Sequence, residues 1–351
     1  MASPAPDRIV DALRNADGRP GGVLLLPHVG ADGDALGSCF GFAIALRRAG
    51  YDVRVLLEEP VPPAFAFLPG AAEAEVQAAG NGDGTASEGA CAPAVAVAVD
   101  CEGGPRLGAR AARFAEAPVR LVVDHHPPAP AAEADPDGTI RFVDVSASCA
   151  GELVLACVRR LGDALGTDLL DRDAATCLLE ALLYDTGGFR YSNTNAASFA
   201  AASLLAGYGA SVRDLSYRLF EETSAGRLRL LGRAYTQVRL DCGGRIASVA
   251  VPLAWLAETA AVEGDLDGLA GTLRNVAGVE ASFVLRENPR GGIRVNIRSG
   301  AAFDASAFAR GFGGGGHARA AGFTAESGAL EDVRDAVVAE ASRLMACGEA
   351  R

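Results

Sequence analysis

Four histidines occur in the 351-residue chain, at 28, 125, 126 and 317, and each sits in a polar or glycine-rich stretch beside an apolar run. None lies on the apolar face of a helical pattern, where a purely structural imidazole would be expected. His28 shares the stretch Pro27-His28-Val29-Gly30-Ala31-Asp32-Gly33-Asp34 with two carboxylates. Asp32 and Asp34 repel each other unless a cation lies between them. The plainer reading is an Asp-rich turn that caps the helix behind it. Asp100 follows the apolar run 94–99, and Asp124-His125-His126 follows the run 119–123. Asp185 closes an apolar helical pattern and precedes Thr186-Gly187-Gly188. Singly, each of these is an ordinary loop acid. As a set, mixed imidazole and carboxylate ligands suit Mn²⁺ and, less selectively, Mg²⁺, Fe²⁺, Co²⁺ or Zn²⁺. Two such ions can activate a water and clamp the oxygens of an in-line phosphoryl displacement.

Residues so far apart must be brought together by a fold. Residues 23–27, 52–57, 94–99, 119–123 and 140–143 read as strands, mostly continuous Val and Leu. Helical patterns fall at 38–49, 148–161 and 171–183, with Ser148 and Asp171 as N-caps. Such alternation predicts an α/β domain with a mostly parallel sheet covered by helices on both faces. The carboxyl ends of its strands line a ligand crevice, so the acids and imidazoles ending three of them can converge. Residues 77–93 and 127–138 read as exposed loops, and 196–207 and 212–231 as helices joining two domains. Beyond residue 228 the pattern changes. Two hairpin signals, 235–251 and 279–299, and helices at 253–258, 266–275, 304–310 and 330–345 predict a smaller α/β domain with a mixed sheet. The expected division is 1–195, a helical linker 196–227, and 228–351.

The composition narrows the partners. Net charge is −12, with 44 acidic residues against 32 basic ones, all of them arginine. A long basic groove for duplex nucleic acid is not expected. A short anion remains compatible if metal ions cancel the local negative charge. Any cationic side-chain contact to phosphate must come from Arg. The eight cysteines contain no C-x-x-C pair and read as buried, reduced thiols of a cytoplasmic protein. No signal-peptide pattern and no membrane-length apolar run occurs in the sequence.

The Asp124-His125-His126 triplet, with the His28/Asp32/Asp34 stretch, Asp100 and Asp185, resembles the four motifs of the DHH phosphoesterases. The stretch from Gly311 to Phe323, with Gly313 to Gly316 before His317, is similar to the signature of their associated DHHA1 domain. Val295-Asn296-Ile297-Arg298-Ser299 is similar to the arginine-bearing strand of that domain. The compact plan resembles the bacterial nanoRNase/pAp phosphatases. That resemblance implies two divalent ions, Mn²⁺ foremost, with Mg²⁺, Co²⁺ or Fe²⁺ as alternatives. His28 and Asp32 would hold one ion, Asp34, His125 and Asp185 the other, and Asp100 would bridge them. His126 would contact the substrate phosphate and Asp124 would orient the histidine pair. Arg298, Ser299, Gly314, Gly315, Gly316 and His317 would bind the substrate's end, the glycines as a backbone nest for an anion. Two departures stand out: Gly30-Ala31 replaces the usual Asn-Pro, and Ser146-Ala147-Ser148-Cys149 replaces a Ser/Thr-rich turn before a helix.

The expected activity is cleavage of short oligoribonucleotides to mononucleotides and dephosphorylation of 3′-phosphoadenosine 5′-phosphate (pAp). Linear or cyclic dinucleotide messengers such as pApA and pGpG are an alternative substrate. A non-catalytic nucleotide-binding module is an alternative of a different class, opposed by the intact ligand set. The partners expected are short single-stranded RNA or nucleotides, with no long duplex and no membrane; a homodimer is compatible with the pattern.

Overall fold

The structure is a computed structural model that describes residues 5–16, 18, 21–77, 92–127, 138–289 and 291–346. The loops expected over 77–93 and 127–138 fall almost wholly outside these residues, as do Cys91 and Cys347. Two compact units, Met1–Glu222 and Thr223–Arg351, divide the chain.

In the first unit, strands β1 (Val23–Pro27), β2 (Val53–Leu57), β3 (Glu75–Val76), β4 (Val95–Val99), β5 (Val119–Asp124) and β6 (Ile140–Val143) form one parallel sheet in the order β3-β2-β1-β4-β5-β6. Five of the six were expected to within a residue; two-residue β3 was too short to leave a pattern. The side chains alternate between two apolar layers. Leu25, Val55, Val97 and Val123 meet helices α1 (Ala5–Asn15) and α2 (Gly33–Arg48). Leu24, Leu26, Ala98 and Val122 meet Leu107 and Phe114 of the segment 104–116, which ends in α3 (Ala111–Glu116). Helices α4 (Ala150–Leu165) and α5 (Arg172–Asp185) complete the first layer, and α6 (Ala196–Gly207) packs on α5.

Helix α2 begins at Gly33, five residues before the expected start, because Asp32 caps it: its Oδ1 accepts the Ala35 N–H at 3.1 Å. The glycines that masked this helix let it press against α5. A Cβ on Gly37 would lie 2.5 Å from the Cys177 carbonyl oxygen and 3.0 Å from the Ala181 nitrogen, both backbone atoms. Gly37→Ala should therefore destabilise the unit by about 1–3 kcal/mol. Chemical denaturation reads this directly, and an unchanged midpoint would mean the two helices can part at no cost. The helix expected over 212–231 is instead broken. α7 (Val212–Ser216) runs into a wide turn ending at Glu221, and α8 (Ala225–Thr236) starts afresh with Ser224 as its cap.

The second unit holds a mixed sheet of β7 (Arg239–Asp241), β8 (Ile246–Val251), β9 (Ala281–Glu287), β10 (Ile293–Ser299), β11 (Gly315–His317) and β12 (Ala320–Ala325). The order is β11-β12-β10-β9-β8-β7, and only β8 and β9 pair in parallel. Helices α9 (Ala254–Thr259) and α10 (Leu269–Arg274) cover one face of β8 and β9, with Trp255, Leu269 and Leu273 in the core. Helices α11 (Ala305–Gly311) and α12 (Leu330–Leu344) cover the other face, where Val295 and Ile297 point. Cys39, Cys101, Cys149, Cys157 and Cys177 are buried free thiols. Cys242, in the half-buried turn between β7 and β8, departs from the expectation and is disulfide-bonded. No helix among the described residues is long and apolar enough to cross a membrane.

Candidate metal centre

The sheet order reverses between β1 and β4: β2 and β3 lie on one side, β5 and β6 on the other. At such a switch point the loops leaving neighbouring strands part, and a crevice opens at their carboxyl ends. His28 follows β1, Asp100 follows β4, and Asp124, His125 and His126 end or follow β5. The N-terminus of α2 brings Asp32 and Asp34, and the C-terminus of α5 brings Asp185. All six expected ligands therefore meet in one place. His28 Nε2 lies 3.5 Å from Asp100 Oδ2 and 3.8 Å from Asp32 Oδ1. His125 Nε2 lies 3.4 Å from Asp100 Oδ1, 3.6 Å from Asp34 Oδ2 and 3.6 Å from Asp185 Oδ2. In three groups, His28/Asp32/Asp100, Asp34/His125/Asp185 and Asp100/His125/His126, the ligand atoms lie within 4.8 Å of one another.

The donor set fits divalent cations on two grounds. Asp100 is buried and its Oδ1 has no hydrogen-bond partner among the described residues, a costly state for a carboxylate. Its backbone has φ 60°, a left-handed conformation that non-glycine residues rarely adopt, held by its N–H donating to the Val123 carbonyl at 2.9 Å. His28 Nδ1 is 2.8 Å from the Val29 carbonyl. A carbonyl can only accept, so Nδ1 carries the proton and Nε2 is turned to the carboxylates.

Without a cation, protons carry the positive charge here. Burial works against the charged form of His28, but Asp100 and Asp32 outweigh it and lift the imidazole to about 10. Burial likewise opposes His125, and Asp100 and Asp34 raise it to about 9. Burial, with the charges of Asp100 and Asp185, drives Asp34 well above the usual carboxylate range. Burial raises Asp185 to about 6. Burial also opposes the ionised Asp100, yet the nearby imidazoles of His125 and His28 hold it below the ordinary value. A metal ion would replace the histidine protons.

Asp34 has a second task that its position in the sequence does not reveal. Its Oδ1 accepts from Ser38 Oγ at 2.9 Å and the Gly151 N–H at 3.1 Å, and its Oδ2 accepts the Ala150 N–H at 2.7 Å. It thereby caps α4, whose own N-cap residue Cys149 makes no side-chain cap bond. Ser148, the expected cap, instead donates to the Asn193 carbonyl at 3.0 Å and bonds Ser198 Oγ. Asn193 Nδ2 donates to the carbonyls of Ser148 at 2.9 Å and Asp185 at 3.0 Å, tying the start of α4 to the end of α5. His126 stands half exposed beside the cluster, and buried Asp124 accepts its backbone N–H at 3.1 Å and meets its Nδ1 at 2.9 Å. That contact to Asp124 raises the His126 imidazole above its ordinary value.

In the second unit, Arg298 is exposed on β10, and Gly315 and Gly316 line a cavity with it. Gly314 abuts β12: a Cβ there would lie 2.3 Å from the Gly322 carbonyl oxygen. The glycine run is thus an edge strand, β11, rather than a free loop. His317 ends that strand, exposed, and does not line the cavity. Ser299 is buried on the opposite face of β10 from Arg298, its Oγ donating to the Ala318 carbonyl at 3.1 Å.

A parallel α/β sheet with imidazoles and carboxylates converging at its switch point is the frame of a phosphoester hydrolase. The family profile described as "DHH family, N-terminal domain" matches residues 22–182, and the "DHHA1 domain" profile matches residues 247–343. The chain is 31% identical to the bifunctional oligoribonuclease and PAP phosphatase NrnA of Thermus thermophilus, over 92% of this chain and 91% of the other. It is 28% identical to the protein of the same name from Bacillus subtilis, over 86% and 88% of the two chains. Its fold matches the crystal structure of an exopolyphosphatase-related protein from Bacteroides fragilis, with TM-score 0.79, 22% identity and coverage of 97% and 98%. The chain belongs to the DHH family and is a phosphoesterase.

Proposed function

We propose that the chain is a two-metal enzyme of the cytoplasm that degrades short oligoribonucleotides to mononucleotides and removes the 3′-phosphate of pAp. The observation that carries this reading is the convergence of three carboxylates and two imidazoles around the buried, partly unsatisfied Asp100. The curated relatives named for oligoribonuclease and PAP phosphatase activity support the substrate class. His28 and Asp32 would hold one ion, Asp34, His125 and Asp185 the other, and Asp100 both; Mn²⁺ suits this donor set best. Bound there, the ions supply water activation and neutralise charge on the phosphate. His126, held by Asp124, is placed to donate a hydrogen bond to a phosphate oxygen, stabilising charge as it develops. Catalysis is assigned to residues 1–195 and recognition of the substrate's end, through Arg298, Gly314 and the Gly315–His317 strand, to residues 228–351; residues 196–227 join them.

The test is a Mn²⁺-supplemented panel of pAp, ribonucleotides of two to five residues, a long single strand, and the dinucleotides pGpG and cyclic di-AMP. Rapid turnover of pAp and the two- and three-residue RNAs, with little on the long strand, is the expected result. Turnover confined to cyclic di-AMP or pGpG would replace this reading with second-messenger hydrolysis. No turnover of any would leave a binding module.

A further inference from the structure

The first unit holds a buried charge that the proposed chemistry does not use. Arg110 is fully buried at the end of the segment 104–110. Its Nε donates to the Leu107 carbonyl at 3.2 Å, and its Nη1 donates to the Leu56 carbonyl of β2 at 2.8 Å. Its Nε also lies 3.7 Å from Glu58 Oε2, just beyond β2. Its Nη2 has no hydrogen-bond partner among the described residues. Apolar side chains often replace a buried ion pair with no loss of stability. A guanidinium retained here with one donor unmatched therefore calls for a task beyond packing.

A run of hydrogen bonds leads from Arg110 to the metal centre. Glu58 Oε2 accepts the Ala109 N–H at 2.9 Å, so Glu58 and Arg110 together clamp the end of the segment. Between them Gly108 has φ 57°, and a Cβ there would collide with Glu58 Oε2 and lie 2.6 Å from Val29 Cγ2. Only glycine lets the carboxylate and Val29 close on the backbone together. One turn earlier, the Arg106 carbonyl accepts the Val29 N–H at 2.8 Å. The carbonyl of the same Val29 faces His28 Nδ1 at 2.8 Å. Glu58 and His28 also line one cavity of about 260 Å³.

Val29 is thus held through its N–H by Arg106 and holds His28 through its carbonyl. That carbonyl fixes which ring nitrogen carries the proton and where Nε2 is aimed. We infer that Arg110 and Glu58 are positioning residues for the cation held by His28 and Asp32. They set the segment 104–110, the segment sets Val29, and Val29 aims the imidazole. The described hydrogen bonds of this segment reach Val29 and not Asp34, His125 or Asp185, so the effect falls on one ion of the pair. The inference rests on the reading of His28 as a cation ligand.

The experiment titrates Mn²⁺ into the metal-free full-length protein, followed by calorimetry. Wild type should bind two ions. Glu58→Ala should weaken one of them about tenfold and leave the other unchanged, the scale for disturbing an outer partner of a metal-bound histidine. Glu58→Gln should recover part of the loss, because its carboxamide oxygen can still accept the Ala109 N–H. Arg110→Lys keeps the charge but not the fork that reaches two carbonyls, and should weaken the same ion. Glu116→Gln, an exposed change on α3, should leave both ions at wild-type affinity. Equal weakening of both ions, or of neither, would overturn the inference while leaving the two-metal reading intact. If wild type binds no Mn²⁺, the two-metal reading fails, and amide hydrogen exchange in excess EDTA still decides this inference. Faster exchange of the Val29 N–H in Glu58→Ala, relative to the amides of β4, would support it; an unchanged Val29 would refute it. Should Glu58→Ala fail to fold, Arg110→Lys and Glu58→Gln carry both measurements with the same outcomes.

Discussion

Asp100→Asn is expected to reduce phosphoester hydrolysis by at least about 10²–10³-fold, the scale for losing one preorganised electrostatic group at a reacting centre. Asp100 contributes to two of the three ligand groups and stands within 3.5 Å of His28, His125 and His126. Asparagine keeps the size of the side chain but cannot supply a negative charge to two ions. In the metal-free protein Asp100 faces the imidazoles of His28 and His125, so losing its charge should lower thermal stability modestly while turnover collapses. Turnover near wild type would remove Asp100 from the centre.

Asp34→Ala should behave differently, and the contrast separates the two carboxylates. Activity should fall at least as far, since one ion would lose a ligand. The metal-free protein should also be weaker by about 1–3 kcal/mol, because Ser38, Ala150 and Gly151 lose the acceptor they share. For a unit of this size that corresponds to a fall in Tm on the order of 3–10 °C. Measured in EDTA, a Tm unchanged by Asp34→Ala would show that α4 needs no cap from this carboxylate.

This difference marks where the sequence stops being legible. Strands β1, β2, β4 and β5 could be read because each is mostly a Val, Leu or Ala run largely buried in the sheet, with no competing pattern. The ligand types could be read because histidines are few and each lies next to a strand end. The capping role of Asp34 could not, since its donors lie 116 and 117 residues further along the chain. Ser148 looks like an N-cap by local rules, but a tertiary acceptor had already satisfied the helix it precedes. Helix α2 was read as starting late because Gly33 and Gly37 lower local helix propensity; they are present to let α5 approach.

In the proposed enzyme the converged acids and imidazoles hold two cations that share Asp100. Anomalous diffraction from a crystal soaked in Mn²⁺, recorded at the manganese edge, tests it most directly. Two peaks are expected, one contacting His28 and Asp32, the other Asp34, His125 and Asp185, with Asp100 touching both. A single peak away from Asp100, or no peak in this crevice, would contradict it.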